Sequence, residues 1–392
     1  MLNHRLKQHR LALGLSLDEL AAKMGGVVTK QALSKYETGA AQPSPVVLNK
    51  LAAALGVKAS RFWAEPVAII EFVAYRRKST LPKREKVKVE NYIVRVLEDR
   101  LKILSLIDSN EESEIPVKKW KIGRLEDVEE AAAALREKWD LGTDPISNLV
   151  STLESHLIQV LEIDADDRFD GISAIAYESR KKQVIGAAVV TNRGVFKGRQ
   201  RFNLAHELGH IILDVTPNID EEQAAHRFGA AFLAPAEAIR REVGSKRTHI
   251  HAEELCVLKQ RYGMSLQAFI RRLLDLDIIT KSHFKQWMID ISRLGWRKVE
   301  PGESSPEQPQ WFRQQTLRLL TEKVITKETA ESLLGESIED NASLSLIERR
   351  AFMKLSLADR RRIMQSQAEK LRKYYEENTN HQDWQGGDII EY

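Results

Sequence analysis

His206-Glu207-Leu208-Gly209-His210 sets two imidazoles four residues apart around a carboxylate. On a helix, positions i and i+4 stand one turn apart on one face, so both rings can turn toward one point. A divalent ion at that point would take two ring nitrogens, and the Glu207 carboxylate beside them could reach a water on the ion as a general base. That is the arrangement of a zinc hydrolase. The flanks argue against two solvated surface histidines. Phe202, Leu204, Ala205, Leu208, Ile211, Ile212 and Leu213 make the helix largely apolar, and polar side chains on a buried helix are costly without partners.

A catalytic zinc keeps three protein ligands and one open position. The helical pattern from Ile219 to Pro235 offers Glu221, Glu222 and His226. Its packing face carries Ala225, Phe228, Ala231 and Phe232. Glu222 shares that face, whereas Glu221 is rotated from it by roughly 100°. On this geometry Glu222 is the preferred third ligand and His226 the alternative. His226, His249 and His251 are candidates for stabilising an oxyanion.

The remaining elements must position this pair of helices. Upstream, Ile158–Ile163, Gly171–Tyr177 and the stretch 183–191 read as strands of a small sheet. An exposed edge of such a sheet can take a peptide as an extra strand and hold its scissile bond over the metal. Amphipathic helices are expected from Leu125 to Trp139 and from Pro145 through Leu149, Leu153 and Leu157. A basic run (Arg76, Arg77, Lys78, Lys83, Arg84, Lys86, Lys88) precedes a helix from Val89 to Ile107, with Tyr92, Val96, Leu101 and Leu104 on its apolar side. Glu300 to Pro309 reads as a Pro/Ser/Glu linker, and helices follow from Trp311 to Lys323 and from Thr326 to Leu334.

The chain has 392 residues, 43% of them hydrophobic, enough for two or three domains with real cores. A single cysteine, Cys256, excludes an internal disulfide framework and fits a reducing compartment; a small buried hydrophobe is its ordinary role. The first residues lack the apolar core of a signal peptide, and no run reaches the roughly 18 apolar residues of a membrane span. A cytoplasmic protein without membrane contact is the expectation. Net charge is +4, but residues 1–63 hold nine Lys/Arg against three Asp/Glu. That local excess suits a nucleic-acid surface.

The same segment reads as short helices broken by tight turns. Ser16-Leu17-Asp18-Glu19 is a capping box, Gly25-Gly26 a stop, Thr29 a cap for the next helix, and Pro43-Ser44-Pro45 the start of another that Gly56 closes. Residues 3–63 resemble the Xre/Cro-like helix-turn-helix family through Ser16–Ala21, Ala32–Gly39, Pro43-Ser44 and Leu51–Val57. Leu17 stands where the family often has glutamine. The resemblance implies that the helix from Thr29 to Thr38 enters the major groove, with Thr29, Lys30, Gln31, Ser34 and Lys35 as DNA contacts. It implies an internal bond for Glu37, and a homodimer on a two-fold operator.

Residues from about 125 to 300 resemble the ImmA/IrrE family of zinc metallopeptidases. The motifs are Phe169-Asp170-Gly171, Arg201–His210, Glu222–Pro235, Tyr262–Ser265 and Arg271–Leu276. The resemblance implies His206, His210 and Glu222 as Zn2+ ligands and Glu207 as catalytic base. At the position usually held by Asp or Asn, this chain has His226. The tail, residues 344–392, is similar to the ends of small bacterial antitoxins that wrap a toxin. There Met364, Ala368, Leu371 and Tyr375 form a narrow apolar stripe.

The expected fold class is α+β, mostly helical: a helix-turn-helix bundle (1–66), a helical connector (67–120), a zincin-like metallopeptidase domain with a small sheet (121–300), a short helical pair (311–335) and a partner-binding tail (344–392). Three functions fit. The chain is a DNA-binding regulator that cleaves a regulatory protein such as an Xre-type repressor, a regulator whose peptidase domain is a sensor or scaffold, or an antitoxin-like repressor that neutralises a toxin through its tail.

Overall fold

Local signals fix the first helices of the computed structural model, which describes residues 1–73, 82–107, 115–166, 169–178, 183–297, 299–338 and 352–377. Helix α1 spans Leu2–Ala12, α2 Leu17–Lys23, α3 Lys30–Thr38 and α4 Pro45–Leu55. The Ser16 hydroxyl accepts from the Glu19 amide while the Glu19 carboxylate accepts from the Ser16 amide, so the capping box is complete. Thr29 and Ser44 cap α3 and α4. Gly39 and Gly56 close them at φ +78° and +65°, a conformation glycine adopts without strain. Leu6, Leu20, Leu33, Leu51, Leu55 and Phe62 fill a core of their own. Glu37 bonds internally, accepting from Arg10 Nε and Nη2 at 2.6 and 2.8 Å.

The connector departs from its sequence reading. Ile69–Val73 is a strand, β1, where only a basic run and a helix were expected. Helix α5 (Lys83–Leu106) starts six residues before Val89. Its buried row is Val89, Ile93, Leu97 and Leu101, with Tyr92, Val96 and Leu104 along the margin. Arg76, Arg77 and Lys78 lie outside the described residues. Arg84 is committed locally, donating to the Gly14 carbonyl and the Glu19 carboxylate.

The next elements are β2 (Trp120–Ile122), α6 (Asp127–Lys138), α7 (Leu149–Ser155), β3 (Ile158–Ile163), β4 (Gly171–Tyr177), β5 (Val184–Asn192), α8 (Lys197–Ile212), β6 (Leu213–Val215) and α9 (Glu221–Leu233). Helix α7 begins four residues after Pro145, because Asn148 Oδ1 accepts from the Ser151 amide at 2.8 Å and so defines the cap. The main sheet runs β1-β4-β5-β3. The β1/β4 and β4/β5 pairs are antiparallel and β3/β5 is parallel. The short strands β2 and β6 form a parallel pair that the sequence reading lacked.

The sheet separates two cores. Leu97 and Leu101 of α5 pack with Ile172, Ala174, Ala188 and Val190 on one face. On the other face Val160, Ile175, Ala187 and Val189 join α8, α9 and the later helices α10 (Ala236–Val243), α11 (Ala252–Tyr262), α12 (Leu266–Asp275) and α13 (Lys281–Arg293). The stretch from Glu300 to Pro309 is no free linker. Glu300 is buried against Lys259 at 2.8 Å, and Glu307 against Arg201 at 2.5 Å. Helices α14 (Trp311–Thr321) and α15 (Lys327–Leu334) follow.

Residues 1–336 form one compact unit and 337–392 another. The second contains a helix over Leu357–Glu377, on which Ile363 and Met364 are exposed. Of the stretch 344–392, for which a toxin-binding role was expected, residues 344–351 and 378–392 lie outside the described residues, as do the side chains of Leu371 and Tyr375. Among the described residues no helix is long and apolar enough to cross a membrane.

Candidate metal centre

Two glycines let α8 and α9 meet. A Cβ on Gly229 would stand 3.1 Å from the His206 amide nitrogen, and one on Gly209 would stand 3.2 Å from Ala225 Cα. Both contacts are closer than the roughly 3.5–4.0 Å optimum between such atoms. With both side chains absent, the helices approach until the first turn of α9 overhangs the last turns of α8. Asp220 caps that first turn, accepting from the Gln223 amide at 3.0 Å, and sets Glu221 and Glu222 beside the histidines.

One nitrogen each of His206 and His210 and one oxygen of Glu222 all lie within 4.8 Å of one another. The two Nε2 atoms are 3.1 Å apart. Glu222 Oε2 is 3.5 Å from His206 Nε2, and Oε1 is 3.7 Å from His210 Nε2. Ligands at zinc distances around a tetrahedron are separated by roughly 3.3–3.5 Å, so this donor set has the right size for one small divalent ion. Its chemistry, two imidazoles and a carboxylate, fits as well.

Glu207 lies one residue along from His206 and is buried. Burial pushes its carboxyl above the usual range. His210, His206 and Ser173 pull it back down, and Glu222 adds to the rise. On the sheet side a Cβ on Gly171 would sit 3.0 Å from Glu207 Oε1, so the glycine of Phe169-Asp170-Gly171 makes room for that carboxylate. The aspartate holds the loop: Asp170 takes Arg199 Nη2 at 2.5 Å, and its carbonyl accepts from Asn203 Nδ2 at 2.9 Å.

Glu221, set aside as a ligand on rotation, has a place the sequence reading did not assign. Its Oε1 lies 3.7 Å from His210 Nδ1, the nitrogen facing away from the cluster, and 3.6 Å from Lys118 Nζ. The Glu221 carboxyl is held below its usual range, chiefly by His210. Carboxylates in this position orient a ligand imidazole. The signal was its neighbour: a residue beside a ligand at a helix start can reach that ligand's partner.

The His226 ring lies with its centroid 4.3 Å from that of His206 and 5.6 Å from that of Phe202. It lines a cleft of about 420 Å³ with Leu125, Phe202, Ala230, Arg271 and Asp275. His249 and His251 are exposed ahead of α11. Burial raises the Cys256 thiol, which opposes a nucleophilic role.

In the helix-turn-helix segment, Thr29, Lys30, Gln31 and Lys35 are exposed on α3 and its cap, and Ser34 is half-buried. Lys30 reaches Asp18 at 2.6 Å on the surface. Three of the nine basic residues there are structural. Arg5 pairs with Glu98 at 2.7 Å, Arg61 with Asp99 at 2.6 Å, and Arg10 with Glu37. Lys7, Lys23, Lys35 and Lys50 remain exposed.

Residues 6–62 match the family model described as helix-turn-helix. Residues 172–274 match a peptidase family model described as IrrE N-terminal-like domain, and that span contains His206, Glu207, His210 and Glu222. The chain joins a helix-turn-helix domain to an IrrE N-terminal-like domain. The first supports DNA binding and the second a domain of metallopeptidase type. A search of curated proteins found no match to the chain.

Proposed function

We propose that the protein is a DNA-binding transcriptional regulator whose IrrE N-terminal-like domain is a zinc metallopeptidase, cutting a regulatory protein such as an Xre-type repressor. The observation that carries this reading is the meeting of His206, His210 and Glu222 at tetrahedral spacing, with buried Glu207 beside them. His206 and His210 would hold the ion through Nε2 and Glu222 through a carboxylate oxygen, with Glu221 beside Nδ1 of His210 to orient it. When bound, zinc supplies a Lewis acid and lowers the pKa of a coordinated water to about 7. Glu207 accepts a proton from the attacking water and later delivers it to the leaving amine. A scaffold would have no use for Glu207, which favours retained chemistry over a sensor alone. The helix-turn-helix domain brings the enzyme to DNA as a homodimer, with Thr29, Lys30, Gln31, Ser34 and Lys35 as contacts.

The test is Glu207→Gln. Zinc content measured after desalting should stay at one per chain, and cleavage of proteins encoded beside this one should fall by about 10²–10⁴-fold, the range for losing a general base. Wild-type cleavage rates in that variant would sink the mechanism.

A further inference from the structure

The sheet-side neighbours of Glu207 come from β4. Gly171 leaves room for its carboxylate and Ser173 adjoins it. One backbone edge of β4 pairs with β5. The other is taken by β1, antiparallel, with Ile69 opposite Tyr177 and Val73 opposite Ser173. As β1 runs from Ile69 to Val73 it therefore approaches the end of β4 that touches Glu207. Adjacent strands lie about 4.8 Å apart, so a chain on this edge passes within one strand spacing of the residues that border the carboxylate. An extended peptide held by strand addition needs an edge of this kind.

The hold of β1 is shallow. Ile69 and Glu71 are exposed and its other residues half-buried, whereas β4 is buried from Ile172 to Ala176. Only Ile70 and Phe72 pack into the core beneath α5, and Val73 into the core that carries α8. A short covering strand is also what protects an edge from pairing with stray chains.

We propose that the β4 edge is the docking surface for an extended segment of the substrate protein, and that β1 is its resident competitor. The partner it fits is a locally unfolded segment with apolar residues at alternate positions, entering antiparallel to β4 as Ile70 and Phe72 do. Its use in catalysis rests on the peptidase reading, but docking does not. Because β1 belongs to the connector between the helix-turn-helix domain and the sheet, whatever loosens the connector opens the edge.

The experiment uses the full chain carrying Glu207→Gln, so that nothing is cut, and a fluorescein-labelled synthetic peptide with the sequence of residues 68–73, followed by anisotropy. Adding Phe72→Asp should tighten peptide binding at least tenfold. A clamp across the directly opposed pair, Glu71→Cys with Ile175→Cys in a Cys256→Ser background, should abolish binding when oxidised and restore it when reduced. Equal affinities with and without Phe72→Asp, or binding that survives the oxidised clamp, overturns the proposal. If Phe72→Asp fails to fold, the oxidised and reduced clamp decide alone. Cleavage of unfolded casein by the Phe72→Asp chain with Glu207 intact reads the peptidase separately: peptide binding without cleavage sinks that reading and leaves the docking edge standing.

Discussion

Gly229→Ala tests whether the α8–α9 approach sets the metal centre. Two effects compete. Alanine is favoured over glycine in a helix interior by roughly 0.5–1 kcal/mol. Against this, the new Cβ would lie 3.1 Å from the His206 amide nitrogen and 3.4 Å from Ala205 C and His206 Cα. All three are backbone atoms, so no side chain can swing aside. The helices must part by a few tenths of an ångström, and overpacking of this kind costs about 1–3 kcal/mol. The clash wins. Glu222 now stands 3.5 and 3.7 Å from the two Nε2 atoms, and a matching retreat takes it toward ~4 Å, beyond the roughly 3.3–3.5 Å that a tetrahedral ion tolerates. The expected result is at least a tenfold loss of zinc affinity in chelator competition and a melting temperature lower by several degrees, at roughly 2–4 °C per kcal/mol. Gly123→Ala is the control, because its Cβ would meet only Asp127 Oδ2 at an ordinary 3.6 Å. A zinc affinity within twofold of wild type in Gly229→Ala would refute the reasoning.

Three further outcomes are expected. Glu307→Ala strands the fully buried Arg201 guanidinium and should cost about 3–5 kcal/mol in urea unfolding; a loss under 1 kcal/mol would show that the strap from 299 to 310 is dispensable. His9 is buried against Phe62, and burial first, then the nearby arginines, lower its pKa to about 4. The folded chain therefore resists protonation that the unfolded chain accepts below about 6.5, so stability is full above that pH and falls as pH drops toward 4, by roughly 3 kcal/mol in total; His9→Phe should flatten the dependence seen in calorimetry between pH 7 and pH 4. Lys35→Ala should weaken DNA binding evenly across sequences and reduce the salt slope of log Kd by about 1 in anisotropy titrations, whereas an unchanged slope would take Lys35 off the phosphate surface.

What could be read from the sequence was what local chemistry decides. Ser16 with Glu19, Thr29 and Ser44 mark helix starts within three residues of themselves, and the structure keeps each cap. The donor trio was legible for a similar reason: His206 and His210 are fixed by helical pitch, and Glu222 by the face it shares with Ala225 and Phe228. Long-range partners were not legible. β1 has only five residues and pairs with β4, about a hundred positions on, so its strand character comes from that neighbour. Strands β2 and β6, three residues each, carry no period at all. Glu300 and Glu307 look solvated in a Pro/Ser/Glu string, because nothing nearby announces Lys259 and Arg201 as their buried partners. Gly209 and Gly229 were the missed clue. A glycine inside an otherwise apolar helix marks a close approach, and here each of the two admits the facing helix.

The connector makes the two domains mechanically one. Helix α5 presents Glu98 and Asp99 to Arg5 and Arg61 of the helix-turn-helix domain, each pair at 2.6–2.7 Å and largely shielded from water. Its buried row, Val89 to Leu101, packs on the sheet. Separating α5 from the DNA-binding domain would expose or strand those charges, at several kcal/mol for each partner left buried. Separating it from the sheet would uncover a row of apolar side chains at roughly 25 cal/mol per Å². The half-buried β1 is held to the same sheet by its pairing with β4 and by Ile70 and Phe72 in the core beneath α5.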